Sequence, residues 1–491
     1  MHYDFVLSGG RVIDPASGVD DVRDVAIRGG SVAATSTERL HGRVQLDVSG
    51  LVVSPGFIDL HSHGQAIPEQ RLQALDGVTT ALELESGVTP AAVAYARAAM
   101  EGRPLNYGFS TSWMMARLAT LVGARFDGDL SSMLPHVSTV EAQRPASSPE
   151  VRSILDLLAA DLAGGAIGIG ILVGYTPMID PDEYLAVAGL AAQASVPTFT
   201  HARELVEARP ELPIDGATEV VRAAAETGAH MHYCHINSSS RQNIDRVHTV
   251  IERCRVEGGH VSTEAYPYGA ASTAIGAPFL APDFLARIGL TPSAIRYLPT
   301  NERVADAERL AELRAIDPGG LAIIEYLDET DPTDLAYLQR ALTFGDTAVA
   351  SDAMPLLWPA APPDPMTWPL PEGGRVHPRS SGTFARTLRL VRERRWLTLP
   401  EAIRRCAVVP AEILQASVPA MTRKGRLSEG SDADIVVFDP DTVTDRATYE
   451  SGATPSAGIR HVLVNGSFVV RDAELVTDAL PGRPIYARAA G

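Results

Sequence analysis

The chain has 491 residues, of which 45% are hydrophobic and 21% charged. This composition provides enough apolar material for one or two large packed domains and excludes a mainly disordered protein. The net charge of −18, from 60 acidic against 42 basic residues, argues against nucleic acid or an anionic membrane as a partner.

The start of the chain predicts a β-rich segment. Its first residues lack the basic and apolar stretches of a signal peptide, no apolar run approaches the length of a membrane span, and the three cysteines form no disulfide pattern, so we expect a cytoplasmic protein. Up to residue 50, short alternating segments are separated by turn residues, as is typical of β-hairpins. Residues 433–438 and 462–470 repeat this style. We therefore expect one small β-sandwich domain from residues 1–54 and 421–491.

Between these ends, apolar strands alternate with helices. This alternation builds a parallel sheet, and eight such units suggest a closed (β/α)8 barrel over residues 55–420. The interval before the last strand is longer than one crossover helix needs, so we expect an inserted subdomain at about 277–346. The predicted strands are Val53–Leu60, Val78–Glu85, Leu105–Ser110, Ala166–Leu172, Thr198–His201, Ala229–His235, His260–Tyr266 and Thr347–Asp352. The predicted helices include Val151–Leu162, Pro181–Gln193, Ala217–Thr227 and Arg241–Glu257.

Residue types that bind metals recur at the predicted strand ends. His61 and His63 lie two apart on the first strand and therefore share a face. Taken alone, they could equally be two polar residues at a strand end. However, His201 and His235 close the fifth and sixth strands, and Asp352 closes the eighth. Because the C-terminal ends of barrel strands form one mouth, we expect these side chains to meet there and bind zinc or another borderline metal.

The two close histidines, the two single histidines and the aspartate resemble the signature of the amidohydrolase superfamily. More closely, the chain resembles the D-aminoacylase (N-acyl-D-amino-acid deacylase) family. The stretches that carry this resemblance are residues 54–59, 77–80, 265–273, 377–384 and 433–440. Residues 277–346 carry none of it.

The resemblance implies a TIM-like (β/α)8 barrel with a small β-domain made from both termini. It also implies a metal-dependent amide hydrolase that uses one or two divalent ions, in the first place Zn²⁺. Its substrate would be an N-acyl (D-)amino acid, or a related small molecule, that carries a carboxylate. Tyr268 and Ser272 would contact the substrate, with the Tyr268 hydroxyl able to donate to the oxyanion. Arg379 would bind the carboxylate, for which the guanidinium fork is well shaped.

The chain departs from the family pattern at positions that bear on chemistry. Where the family has a cysteine ligand after the second strand, this chain reads Glu83-Leu84-Glu85-Ser86. Serine is a poor zinc ligand, so we expect a carboxylate there and favour Glu85 over Glu83, because Glu85 is nearer the C-terminal end of the strand. Asn237 replaces a family lysine, so we expect it to face an amide or hydroxyl group of the substrate.

The expected reaction is attack of metal-activated water on an amide, with Asp352 accepting the proton and returning it to the leaving amine. Two alternatives remain open. One is a cyclic-amide or dipeptide hydrolase on the same metal site, and the other is a metal-binding barrel without hydrolysis. Neither the side chain and chirality of the substrate nor the oligomeric state follows from the residues. His230 and His232 share a strand face, and we interpret them as core residues, or as residues that lie behind the metal ligands, rather than as ligands themselves.

Overall fold

The computed structural model describes residues 3–137 and 139–488. The chain divides into two compact units. The first comprises Met1–Leu82, Ala98–Tyr107 and Ala348–Ile485, and the second comprises Glu83–Arg97, Gly108–Thr347 and Tyr486–Gly491. Among the described residues, no helix is both long and apolar enough to cross a bilayer.

The largest sheet lies in the first unit and takes strands from both ends of the chain. Val52–Pro55 is its centre, since it pairs parallel with Tyr3–Asp14 and antiparallel with Ile435–Phe438. The strands run in the order Glu474–Leu475, Ser467–Arg471, Ile459–Val464, Ile435–Phe438, Val52–Pro55, Tyr3–Asp14, Val19–Arg28 and Ser31–Ser36, with Gly42–Asp47 pairing with Tyr3–Asp14.

Both faces of this sheet are buried. Val52 and Val436 belong to one apolar cluster, whereas their neighbours Val53 and Val437 belong to another. This follows from strand geometry, because successive side chains point to opposite faces. The predicted hairpin turn at Asn465 is confirmed, since Asn465 and Gly466 both have positive φ, as a two-residue turn between twisted strands requires.

The first predicted barrel strand is interrupted. Val52–Pro55 joins the large sheet, whereas Phe57–Asp59 pairs in parallel with Val78–Glu83. Gly56 lies between them, and a Cβ on it would overlap the side chain of Thr79. The remaining elements of this unit are the strand Ala348–Val349, the α-helices Ile67–Ala74, Arg379–Arg394, Leu399–Ile403 and Val409–Leu414, the π-helix Arg404–Val408 and the 3-10 helix Pro419–Arg423. Helix Ala91–Glu101 and strand Asn106–Phe109 have residues in both units.

The second unit contains a run of parallel strands separated by helices. The strands lie in the order Val261–Ala265, Met231–Tyr233, Thr198–Thr200, Ile169–Ile171 and Thr111–Ser112. The helices are Trp113–Val122, Val140–Gln143, Ser148–Ala163, Pro181–Ala194, Gly216–Thr227, Ile236–Ser240 and Ile244–Val256. Asp180 and Asp215 cap two of them by accepting from backbone N–H groups of the first turn. The predicted α/β class with parallel strands is confirmed, and each of the four predicted helices is found.

A separate antiparallel sheet follows in the same unit. Its strands lie in the order Ala270–Ala274, Leu321–Glu325, Ile295–Tyr297 and Glu302–Arg303. Helices Pro282–Arg287 and Ala307–Ile316 pack on it and contribute Leu285 and Leu310 to a local apolar cluster. Helix Pro332–Thr343 comes next in the chain, and the 3-10 helices of this unit are Leu130–Ser132, Leu134–His136, Val173–Tyr175, Arg241–Asn243, Pro278–Leu280 and Pro292–Ala294.

Candidate metal centres

Glu85, His201 and His235 form a compact cluster in the second unit. Oε1 of Glu85 lies 2.6 Å from Nε2 of His235 and 3.0 Å from Nδ1 of His201, and the two ring nitrogens are 3.1 Å apart. The side chains of Glu85 and His235 are each 5% exposed, and that of His201 is 16% exposed. Two imidazoles and one carboxylate are a donor set that zinc uses in catalytic sites, where a further position stays open for water or substrate. The residues therefore fit a divalent metal.

The two histidines of this cluster each lie just beyond the end of a parallel strand. His201 comes directly after Thr198–Thr200, and its N–H donates to the carbonyl of Ile171 at 2.9 Å. His235 lies two residues beyond Met231–Tyr233 and adopts a left-handed conformation with φ of 31°. Oγ of Ser238 is 3.2 Å from Nδ1 of His235. If Nδ1 carries the proton and donates to this hydroxyl, the lone pair of Nε2 points toward Glu85 and is available to a metal.

The structure separates the two candidate carboxylates at the end of strand Val78–Glu83. Oε1 of Glu83, the last residue of Val78–Glu83, accepts from the N–H of Gly87 at 3.2 Å and so stabilises its own turn. The carboxylate that meets His201 and His235 is that of Glu85. Ser86 is buried, and its hydroxyl has no hydrogen-bond partner among the described residues.

Two aromatic rings pack beside His201, and neither stands out in the sequence as a site residue. The ring centroid of Tyr175 is 4.9 Å from that of His201, and Phe279 stacks on His201 at 5.5 Å. The Tyr175 hydroxyl lies 2.6 Å from Oγ1 of Thr273. Tyr175 ends the 3-10 turn that follows strand Ile169–Ile171, so its position after a parallel strand was the available signal. Phe279 lies within residues 277–346, which carry no family resemblance, so no feature of the sequence pointed to it.

Two of the predicted substrate residues of this unit, Asn237 and Tyr268, are connected by hydrogen bonds. Nδ2 of Asn237 donates to the hydroxyl of Tyr326 at 2.7 Å, and that hydroxyl donates to the carbonyl of Tyr268 at 2.9 Å. Oδ1 of Asn237 accepts from the N–H of Tyr266 at 3.3 Å. Asn237 thus holds the turn that carries Tyr268, a structural role that the sequence did not indicate. Tyr268 and Ser272 are both buried.

The first unit contains a second cluster, formed by His61, His63, Asp352 and Arg379. The Nε2 atoms of His61 and His63 are 3.1 Å apart, and Oδ1 of Asp352 lies 3.5 Å and 3.7 Å from them. Nη2 of Arg379 lies 2.7 Å from the same Oδ1, and all four side chains are less than 10% exposed. The expected pair of histidines and the aspartate therefore meet, and the guanidinium of Arg379 contacts Asp352, a partner that the sequence did not predict.

Asp59 holds the two chain segments of this cluster together. It accepts hydrogen bonds from the backbone N–H of Ser351 at 2.9 Å, from that of His61 at 3.1 Å and from the Ser351 hydroxyl. Burial raises the pKa of Asp59 to about 6, although these three hydrogen bonds lower it. The N–H of His63 also donates to the carbonyl of Ala353 at 2.7 Å. Asp59 belongs to the family-like stretch 54–59, so that motif was the signal for its role.

Arg379 begins helix Arg379–Arg394 and is held by its neighbours. Its N–H donates to Nδ1 of His377 at 3.0 Å. The next residue, Ser380, accepts from the N–H of Met354 at 3.0 Å. These bonds attach the start of the helix to the segment that carries Asp352.

Comparison with known proteins decides the family. Residues 136–470 match the Amidohydrolase family. The chain is 30% identical to N-acyl-D-glutamate deacylase of Alcaligenes xylosoxydans xylosoxydans, over 95% of this chain and 93% of that protein. It is 29% identical to the D-aminoacylase of the same organism, over 95% of this chain and 94% of that protein. The chain belongs to the D-aminoacylase family of amidohydrolases. The predicted family is confirmed, and with it an enzyme that hydrolyses carbon–nitrogen bonds other than peptide bonds.

Solved structures of D-aminoacylase-family members share the fold. N-acyl-D-glutamate deacylase from Bordetella bronchiseptica, complexed with zinc and a phosphonate inhibitor, matches 99% of this chain and 100% of its own chain, with a TM-score of 0.75 and 25% identity. A D-aminoacylase structure matches with the same TM-score and coverage at 24% identity. A more distant relative, allantoinase of Escherichia coli O9:H4 (strain HS), is 28% identical over 55% of this chain and 59% of that protein.

Proposed function

We propose that this D-aminoacylase-family protein hydrolyses the amide bond of N-acyl-D-amino acids and that Glu85, His201 and His235 hold its zinc ion. The observation that carries the proposal is the convergence of two imidazole nitrogens and one carboxylate oxygen within 3.1 Å of one another at the ends of separate strands. When bound, zinc supplies Lewis acidity, which lowers the pKa of water and polarises a carbonyl group. The negative charge of Glu85 partly compensates the charge of a dication.

Asp352 is the proposed proton acceptor and donor of the reaction. Its carboxylate is buried, and the guanidinium of Arg379 and the rings of His61 and His63 surround Oδ1. A carboxylate held this firmly can take a proton from water and return it to the leaving amine without a large reorientation. His61, His63 and Asp352 also form a donor set for a second divalent ion, and we propose that this ion competes with the guanidinium for Asp352.

The substrate is proposed to be a small amide with a carboxylate and an uncharged side chain. Tyr268 and Ser272 are retained as its contacts from the family resemblance, with the Tyr268 hydroxyl as an oxyanion donor, and Arg379 as the partner of the carboxylate. Asn237 stands where the family has a lysine, and its amide is engaged by Tyr326 and Tyr266. A site without that cation favours neutral over acidic side chains.

We propose the finer architecture on the same basis. Each unit contains parallel strands, those of the second unit alternating with helices, and the solved relatives match almost the whole chain. These observations support a (β/α)8 barrel over residues 55–420, a small β-sandwich from residues 1–54 and 421–491, and an insertion at about 277–346.

The test combines metal analysis with a substrate screen of the purified protein. We expect bound zinc, release of free D-amino acid from N-acetyl-D-methionine and N-acetyl-D-leucine, little turnover of the L-enantiomers, and loss of activity on chelation that added zinc restores. Turnover of hydantoins or other cyclic amides in place of the N-acyl compounds would identify the alternative amidohydrolase activity. Zinc binding without turnover of any amide would identify a non-catalytic protein.

A further inference from the structure

We propose that Glu264 is a positioning residue for the candidate metal ligand His235, and that His232 orients Glu264 in turn. This inference rests on the proposed metal centre and adds residues that lie behind it. It concerns the second unit alone, on the neighbouring parallel strands Met231–Tyr233 and Val261–Ala265.

Glu264 connects two groups with its two oxygens. Oε1 accepts from the backbone N–H of His235 at 3.4 Å, and Oε2 lies 3.0 Å from Nε2 of His232. Glu264 is 1% exposed and His232 is fully buried. A buried carboxylate needs hydrogen-bond donors around it, because desolvation otherwise favours its neutral form. The contacts with the His235 N–H and with His232 therefore hold the Glu264 carboxylate in place, and the first of them also fixes the backbone of His235.

A line of hydrogen bonds connects Glu264 with His232, Ser262 and His230, and in one consistent arrangement each donor lies on the side away from Glu264. If Glu264 is ionised and the His232 ring is neutral, Nε2 of His232 donates to Oε2 of Glu264 and Nδ1 of His232 accepts, because an ionised carboxylate only accepts. Oγ of Ser262 lies 2.8 Å from that Nδ1 and 2.7 Å from Nε2 of His230. The consistent arrangement is donation from His230 to Ser262, from Ser262 to His232, and from His232 to Glu264.

The surroundings of His230, the last residue of this line, are consistent with its donating to Ser262. The ring of His230 stacks on that of the exposed His260, with centroids 3.7 Å apart. Burial lowers the pKa of His230 well below its usual range. A neutral His230 has a single N–H, and the line of hydrogen bonds uses it to donate to Ser262.

His235 has a particular need for such support. Its backbone is left-handed, with φ of 31°, which is unfavourable for a residue with a Cβ atom. That conformation turns the side chain so that Nε2 lies 2.6 Å from Oε1 of Glu85. A hydrogen bond from its N–H to Glu264 stabilises the conformation that places the ligand atom. Residues that orient a metal ligand in this way typically change metal affinity by about 10- to 100-fold when they are removed.

The experiment measures zinc affinity by chelator competition in the full chain, together with the visible spectrum of the cobalt(II)-loaded protein and the melting temperature of the metal-free protein. Glu264→Gln places an amide donor against one of the two N–H donors, so we expect zinc affinity to fall by about 10- to 100-fold. The cobalt spectrum should change as well, because it reports the geometry of the ligands.

Two substitutions at position 232 distinguish an effect on the orientation of Glu264 from an effect on the packing of the core. His232→Leu removes the donor to Glu264 and should weaken zinc binding, whereas His232→Gln retains a donor and should stay within about threefold of the unmodified protein. If Glu264→Gln does not fold, this pair carries the test by itself. Ser262→Ala acts one step further away and should have a smaller effect than His232→Leu.

The outcomes distinguish this inference from the metal centre on which it rests. Unchanged zinc affinity and an unchanged cobalt spectrum in folded Glu264→Gln and His232→Leu would overturn the positioning role, provided that His235→Ala loses the metal. Zinc binding in His235→Ala equal to that of the unmodified protein would overturn the proposed centre, and the positioning role with it.

Discussion

Nη2 of Arg379 lies 2.7 Å from Oδ1 of Asp352, and neither side chain is more than 8% exposed. Such a contact is an ion pair removed from water, in which each charge depends on the other for compensation. Removing one partner takes the nearest opposite charge away from the other, at a cost of about 3–5 kcal/mol. This pair therefore links the stability of the first unit to the group proposed to move the proton.

Arg379→Met should lower the free energy of unfolding by about 3–5 kcal/mol, because Asp352 loses the guanidinium that contacts it. Arg379→Lys keeps a positive charge and should cost less, although a lysine cannot reproduce the fork. Chemical denaturation of both variants checks this order. Equal stability of Arg379→Met and the unmodified protein would show that Asp352 is held by other groups.

The same residue tests recognition of the substrate carboxylate. If Arg379 also contacts that carboxylate, Arg379→Lys should lower kcat/KM for N-acyl-D-amino acids much more than for their amidated analogues. Steady-state kinetics with matched acid and amide substrates provide the measurement. Equal losses on both would mean that Arg379 serves Asp352 and not the substrate.

Glu85→Gln should reduce bound zinc, because the change keeps the shape of the side chain but removes the charge that compensates a dication. Two neighbours are suitable controls. Ser86→Ala removes a buried hydroxyl, and Glu83→Gln alters the carboxylate that accepts from Gly87, and both should retain most of the zinc. Metal content by elemental analysis decides the matter, and loss of zinc in Ser86→Ala alone would show that the ligand is Ser86 and not Glu85.

A pair of glycines gives a steric test of the position of His201. A Cβ on Gly174 would lie 2.5 Å from Cδ2 of His201 and 2.6 Å from the carbonyl of Ala202, so Gly174→Ala should displace the imidazole and weaken zinc binding. Gly189 lies within helix Pro181–Ala194, where an added Cβ would point into open space. Gly189→Ala should leave zinc binding intact and raise stability by about 0.5–1 kcal/mol. Zinc titration and thermal melting report the two effects.

The stability of the first unit should depend on pH through Asp76. Burial raises the pKa of Asp76 to about 7, although its carboxylate accepts from the N–H groups of Phe384 and Ala385 and from the Ser456 hydroxyl. In an unfolded chain the pKa is about 3.9. Between these values the folded protein holds a proton that the unfolded chain has lost, so the contribution of Asp76 to stability decreases as pH rises from about 4 to about 7.

The measurement for Asp76 is the melting temperature of the metal-free protein from pH 4 to pH 8. Asp76→Asn cannot titrate, so the difference between the unmodified protein and this variant should shift in favour of the variant as pH rises. A difference that is constant across this range would show that Asp76 remains ionised in the folded protein, held so by its hydrogen-bond donors.

Several features of the two clusters follow from the sequence because they depend on local geometry. His61 and His63 were expected to share a side because they lie two residues apart in an extended segment, and their Nε2 atoms lie 3.1 Å apart. His201 and His235 could be recognised as candidate metal ligands because each comes just after an apolar segment. Parallel strands present their C-terminal ends in the same direction. The hairpin turn at Asn465 and the family motifs could be predicted for the same reason, because each depends on a short stretch of neighbouring residues.

Other features depend on contacts between distant parts of the chain, and only the tertiary structure decided them. The sequence favoured Glu85 over Glu83 from its place in the chain alone, whereas the contact that supports this choice is with His201, 116 positions away. Strand alternation does not determine the direction of Glu85, because the strand ends at Glu83. The pairing of Arg379 with Asp352 and the packing of Phe279 on His201 likewise join residues that are distant in the chain. Beyond a strand end, the direction of a side chain is set by backbone conformations such as the positive φ of His235 and Asp352. The surrounding fold, and not the local pattern of residues, stabilises those conformations.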